Sequence, residues 1–259
     1  MEDPNRSLGE RSQQRTDRKI MFCRIFIPFL YWPHLMPTPT HLPTDWFNRS
    51  SQKVAIDLIG CTFVREVPTE TGTETIRGKI VETEAYETGD PAMYAYERKT
   101  PRIAVVHGPA GFVYIYRIYR QYHCFNIVTD GDGVPSTILI RAVELESWPS
   151  WVPPKKEKLE RLGAGPGKFC IAYDMDESLK GTLVHPDSGL WVEPRTPEVE
   201  RQLAQNQSAI TQTTRIGLSR GTDISWRWYL EDSPSVSKRV PKKKKASDVE
   251  QKSLDLTLS

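Results

Sequence analysis

The stretch Arg77-Gly-Lys-Ile-Val-Glu-Thr-Glu-Ala-Tyr86 alternates side chains with the period of two that belongs to an extended, half-buried strand. On that period Ile80, Glu82, Glu84 and Tyr86 share one face, while Val81, Thr83 and Ala85 take the other. Two carboxylates and an aromatic on one side of such a strand are a costly arrangement, because carboxylates are seldom buried without a partner. A glutamate beside an aromatic in a cleft is a candidate general base. Taken alone, the segment reads equally well as an edge strand whose glutamates face solvent.

Working outward, Ser50 or Ser51 is placed to cap a helix through Val54, Ala55, Leu58 and Ile59, with Gly60 as its stop signal. Cys61 to Glu66 and Ile76 to Tyr86 read as an antiparallel pair joined by a turn region from Pro68 to Thr75. Phe112 to Tyr119 and Tyr122 to Val128 have hairpin spacing, but Arg120-Gln121 lacks the Gly or Asn that tight turns prefer, which implies strain or a looser tip. Ser136 to Leu145 is an apolar strand with one embedded charge, Arg141, followed by a loop from Trp148 to Pro154. Gly165-Pro-Gly167 opens a helix through Tyr173, and Thr196-Pro197 starts a polar helix reaching about Ile210. Trp226 to Leu230 is the last strand. The expected fold is mixed α/β (α+β): a single domain with a curved antiparallel β-sheet, surrounding helices and a protruding β-hairpin.

The chain has 259 residues, 38% of them hydrophobic, enough for one sizeable core. A net charge of +2 does not announce a nucleic-acid binder, so any basic surface must be local. Cys23, Cys61, Cys124 and Cys170 are widely spaced and read as free thiols; neither they nor the five histidines show metal-ligand spacing, so no metal and no cofactor are expected. The apolar run Ile20 to Met36 is broken by Arg24, Pro28, Pro33 and His34, far short of the ~18 residues of a membrane span. Residues 1–42 read as an extension expected to be disordered, 43–238 as the folded domain, and 239–259 as a basic, polar tail.

Several pieces recur in a fixed order: Asp57-Leu-Ile-Gly60, Gly78-Lys-Ile-Val-Glu-Thr-Glu-Ala-Tyr86, Asp90-Pro-Ala92, Thr100-Pro-Arg102, Tyr114-Ile-Tyr116 with Tyr119, and Cys124-Phe-Asn126. Leu139-Ile-Arg-Ala142, Gly165-Pro-Gly-Lys168, Arg215-Ile-Gly217, Trp226-Arg-Trp-Tyr-Leu230 and Ser233-Pro234 continue it. Over about residues 44 to 238 the chain resembles the alkyladenine (3-methyladenine) DNA glycosylase family. That resemblance implies hydrolysis of an N-glycosidic bond after a damaged purine is swung out of duplex DNA. In it Glu84 matches the general base that activates water, Arg141 the cation that orients it, and Ile216 the position whose carbonyl helps hold the water. Tyr86 and Tyr116 match the walls around the flipped base, Asn126 a steric gate against the exocyclic amino group of guanine, and Tyr119 the wedge that fills the vacated stack. Arg102, Arg120 and Lys168 are candidate DNA contacts. No lysine nucleophile matches, so strand cleavage is not expected.

The chain departs from the family pattern at four places. Met93-Tyr94 stands where a pocket histidine is usual, so Tyr94 becomes the candidate hydrogen-bond donor there. Arg120 replaces a glycine after the wedge, Ile103 an asparagine, and Phe169-Cys-Ile171 a Leu-Cys-Gln run. Bland readings stand beside these: sheet packing for the tyrosines, a structural ion pair to Glu82 or Glu144 for Arg141, and a strand-end hydrogen bond for Asn126. The rival for the whole chain is a catalytically idle nucleic-acid-binding module. The expected partner is damaged double-stranded DNA, bound by a monomer away from membranes; Lys242 to Lys245 make the site nuclear in a eukaryote and otherwise cytoplasmic.

Overall fold

A computed structural model describes residues 40–93, 100–154, 156–206 and 209–241. The extension apart from residues 40–42, the tail beyond 241, and Tyr94 lie outside the described residues. The framework is a curled antiparallel sheet in which β1 (Thr62–Thr69), β2 (Gly72–Tyr86), β3 (Val113–Ile118), β4 (Tyr122–Val128), β5 (Thr137–Leu145) and β6 (Leu190–Glu193) run in the order β3-β4-β5-β2-β1-β6. This is the expected mixed α+β architecture with its protruding hairpin, β3–β4.

The 15-residue β2 is the spine. Along one edge it pairs first with β1, from Gly72 to Lys79, and then with β8 (Arg227–Leu230), from Glu82 to Glu84. Its other edge pairs with β5 over Gly78 to Tyr86, and β7 (Ile210–Thr213) adds to β8. The hairpin between β1 and β2 closes on Glu70-Thr71 alone, tighter than a turn from Pro68 to Thr75, because strand pairing runs on to Thr69 and Gly72. Pro68 is tolerated in β1 as an exposed residue near the strand end.

Strict alternation fails in the middle of β2. The β2–β5 register shifts between Ile80 and Glu82 and again between Glu82 and Thr83, so Val81 on one strand and Arg141 on the other stand without a paired residue. One extra residue reverses the facing of everything beyond it. Ile80 therefore joins Ala85 in the apolar core rather than sharing a face with Glu82, Glu84 and Tyr86. The same reversal occurs in β5, where Ile138 and Ile140 pack into the core before Arg141 and Val143 and Leu145 after it.

Among the described residues four α-helices cover the sheet: α1 (Ser51–Leu58), α2 (Leu159–Leu162), α3 (Pro166–Ala172) and α4 (Pro197–Gln205). Helix α1 buries Val54, Ala55 and Leu58 against β2, where Thr83 donates to the Ala55 carbonyl at 2.8 Å. Ser50 occupies its N-cap position without a side-chain bond; instead Glu87 accepts from Ser51 at 2.9 Å and Gln52 at 2.8 Å, a carboxylate at the positive end of the helix dipole. Helix α3 lays Phe169 into an edge-to-face cluster with Phe63, Phe125 and Tyr173, at centroid separations of 4.9 to 5.8 Å. Helix α4 starts as expected, with the Thr196 hydroxyl accepting from Val199 at 3.3 Å, but ends at Gln205. Ile210 opens β7 instead of closing the helix, because its backbone is taken up by pairing with Leu230.

Candidate active site

The irregularity shared by β2 and β5 puts Arg141 between two fully buried carboxylates. Its Nε lies 3.2 Å from Glu82 Oε1 and its Nη1 3.2 Å from Glu84 Oε1. Burial lowers the affinity of Arg141 for its proton, but the two carboxylates outweigh that and raise its pKa above the ordinary value. Arg141 is thus at once an ion-pair partner of Glu82 and a guanidinium on Glu84. Glu144 takes no part, pairing with Lys79 at 3.4 Å.

Glu84 collects two further donors. The Ile216 amide donates to Oε1 at 2.9 Å, and the Tyr86 hydroxyl to Oε2 at 2.7 Å. The contact recorded for Ile216 is made by its N–H, whereas the resemblance implies a role for its carbonyl. Three donors stabilise a negatively charged carboxylate, while an ionised carboxylate accepts about four hydrogen bonds, so Oε2 keeps capacity for one more. Tyr86 itself is held as a phenol: burial, then the neighbouring Glu84 charge, push its pKa well above the usual value.

Beyond Tyr86 opens a cavity of about 330 Å³, of the size that takes a small organic ligand. Tyr86, Tyr114, Tyr116 and Asn126 line one part of it and Met93, Ile103 and Val106 another, with Thr100, Arg102, Ala92 and Thr137 completing the wall. The Tyr114 and Tyr116 rings lie 5.3 Å apart and 36° tilted. Tyr116 hydrogen-bonds the Cys124 thiol, and burial pushes that thiol up to about 11, so it stays protonated near neutrality. Asn126 donates through Nδ2 to the carbonyls of Tyr114 at 3.1 Å and Cys124 at 3.3 Å, which fixes its orientation while it lines the cavity.

The hairpin tip is strained in the way its sequence predicts. Tyr119 and Arg120 have φ of 45° and 66°, a region that non-glycine residues enter at a cost. The result is that Tyr119, 86% exposed, stands out at the end of β3. Arg102, Arg120 and Arg117 converge with Glu177 on an open cleft of about 570 Å³ beside the hairpin. Arg117 is an addition to the expected set; its exposed position on β3 was available to the period-two reading, but a lone arginine in a strand carries no further signal. Lys168 is engaged within the fold, paired with Glu157 and donating to the Arg161 carbonyl at 3.2 Å, while Gly167 packs against Tyr122 beside the hairpin tip.

A second set of charged residues surrounds the site without having been singled out for it. Arg215 is buried against Asp90, with Nη2 2.8 Å from Oδ1, donates to the Ala85 carbonyl at 2.9 Å, and lies 4.6 Å from the Tyr86 ring centroid. It therefore anchors the ring of Tyr86 and the backbone of Ile216, both of which contact Glu84. Arg227 donates through Nε to Glu82 at 2.7 Å. Their only sequence signal is charge inside otherwise apolar segments, Arg215-Ile-Gly217 and Trp226-Arg-Trp.

Residues 45–234 match the methylpurine-DNA glycosylase (MPG) family. A protein of Trichodesmium erythraeum is 48% identical over 203 residues, covering 76% of this chain and 97% of its own length. One from a Synechococcus strain is 44% identical over 198 residues, covering 74% and 97%, and one from Methanocella arvoryzae is 40% identical over 207 residues, covering 77% and 97%. All three carry the name "Putative 3-methyladenine DNA glycosylase". With most of the chain matched and a buried glutamate bonded to a tyrosine of an aromatic cavity, the protein belongs to the methylpurine-DNA glycosylase family.

Proposed function

We propose that the protein is a monofunctional DNA glycosylase that hydrolyses the N-glycosidic bond of alkylated or deaminated purines, the first step of base-excision repair. The observation that carries this reading is the Glu84 carboxylate, bound by Arg141, the Ile216 amide and the hydroxyl of Tyr86, a residue of the cavity wall. In the reaction the purine is flipped into the cavity between Tyr86 and Tyr116, and Tyr119 enters the gap left in the stack. As the bond from C1′ to the base nitrogen breaks, positive charge grows on the sugar and faces Glu84. Glu84 takes a proton from water, whose oxygen bonds to C1′, and the electron pair of the broken bond leaves with the base.

Asn126, locked by two backbone carbonyls, is the group we assign to clash with the guanine amino group. Arg102, Arg117 and Arg120 form the surface for backbone phosphates. We assign the working form as a monomer acting on duplex DNA inside the cell. The bacterial and archaeal relatives support that compartment without favouring a nucleus, and Lys242 to Lys245 lie outside the described residues.

The test is release of free 3-methyladenine, 1,N6-ethenoadenine or hypoxanthine from a duplex carrying that lesion, with Glu84→Gln alongside. Release by the natural protein and none by the variant is expected; no release by either overturns the reading.

A further inference from the structure

Residues 233 to 240 run without regular secondary structure across the outside of β8, yet they are tied down at close intervals. Arg161 donates through Nη1 to the carbonyls of Pro234 at 2.6 Å and Val236 at 2.9 Å, and Ser233 donates to Glu144 at 2.7 Å. Between these anchors and the end of the strap, Ser237 turns both of its donors onto one buried carboxylate. Its amide donates to Glu82 Oε2 at 2.7 Å and its hydroxyl to Oε1 at 2.9 Å. The Lys238 carbonyl accepts from Arg227, whose Nε is on the same Glu82.

We infer that Ser237, acting through Glu82, is a positioning residue for the Arg141–Glu84 pair. Glu82 receives four donors: Arg141, Arg227 and both groups of Ser237. Three of them converge on Oε1 and the Ser237 amide alone holds Oε2, so Glu82 is pinned through both oxygens and takes only Nε of Arg141. The same guanidinium therefore presents Nη1 to Glu84 at 3.2 Å. With the Ser237 hydroxyl gone, Oε1 of Glu82 keeps only the two arginines and shifts toward them about the remaining amide bond, drawing a second nitrogen of Arg141 off Glu84. A misplacement of about 1 Å in such a pair can cost a rate on the order of 10²-fold. Ser237 touches neither base nor sugar on this account, and its effect passes wholly through Arg141.

This inference rests on the glycosylase reading, and its test keeps the two apart. Single-turnover excision and duplex binding are measured for the full chain, for Ser237→Ala, for Ser237→Cys, which keeps the shape with a much weaker donor, and for Ser237→Thr, which restores the hydroxyl. We expect the excision rate to fall about tenfold in Ser237→Ala, to fall in Ser237→Cys as well, and to recover in Ser237→Thr. Binding of the lesion duplex should stay within about twofold. A full excision rate in both Ser237→Ala and Ser237→Cys overturns the inference, as does a fall that Ser237→Thr fails to reverse or that is matched by an equal loss of binding. Absence of release by the natural chain sinks the glycosylase reading and this inference with it, whereas release by the natural chain leaves the variants to decide on the clamp alone.

Discussion

Glu82 and Glu84 are two residues apart on one strand, both fully buried, and share one guanidinium, yet their surroundings differ. Glu82 is enclosed by two arginines and a serine, with three donors on Oε1 and one on Oε2. Glu84 meets one arginine nitrogen, one amide and one phenol, and the phenol belongs to the cavity wall. A carboxylate whose donors all stand off the cavity wall is built to hold the structure together. A carboxylate bonded to a residue of the wall stands next to whatever fills the cavity.

The sharpest way to break that contrast is to neutralise each carboxylate in turn. Glu84→Gln should lower single-turnover excision by about 10³-fold, the range expected for a lost general base, and leave the midpoint of chemical denaturation little changed. Excision by Glu84→Gln at the natural rate would make Glu84 a second structural carboxylate. Glu82→Gln should do the reverse in emphasis. It leaves Arg227 and part of Arg141 buried without a full counter-charge, which costs about 3 kcal/mol in unfolding free energy, readable in a urea titration. An unchanged titration for Glu82→Gln would mean that the four-donor cage adds nothing to stability.

Tyr86→Phe probes the smaller difference, the one donor on Oε2. Removing the hydroxyl takes away a hydrogen bond to a charged group while the ring, stacked under Arg215, remains. Excision should fall by about tenfold, with the affinity for lesion DNA preserved because the aromatic wall is intact. A loss of affinity in place of rate would assign Tyr86 to stacking alone.

The contrast between the two glutamates was only half legible in the sequence. Period-two alternation places Glu82, Glu84 and Tyr86 together, and the structure keeps them on one face. It also places Ile80 there, which fails because the bulge at Val81 is marked by no glycine or proline. The bulge exists because β5 carries a matching irregularity at Arg141, and a match between strands about 60 residues apart is a tertiary fact. Arg227 and Ser237 were out of reach for the same reason: each meets Glu82 across more than 140 residues of chain. Where interactions are local the reading succeeds, as with the Gly165-Pro166 start of α3, the Thr196 cap of α4 and the strained tip at Tyr119 and Arg120. The end of α4 shows the limit, since Ile210 continues a helical polarity pattern and is claimed by β8.

A third glutamate completes the comparison from the other side. Glu144 sits on β5 opposite Lys79 and was the alternative partner for Arg141, but it is about one-third exposed, 3.4 Å from the Lys79 amine and bonded to the Ser233 hydroxyl at 2.7 Å. Water can replace what Glu144→Gln removes, and an exposed pair contributes only ~0.2–1 kcal/mol. The expected outcome is a loss of about 0.5 kcal/mol in a urea titration, with excision within about twofold of the natural rate. The outcome bears on the strap as well, because Ser233 anchors the segment that carries Ser237. A large fall in excision for Glu144→Gln, with stability unchanged, would mean that the route from the strap to Arg141 runs through Ser233 and Glu144 rather than through the cage around Glu82.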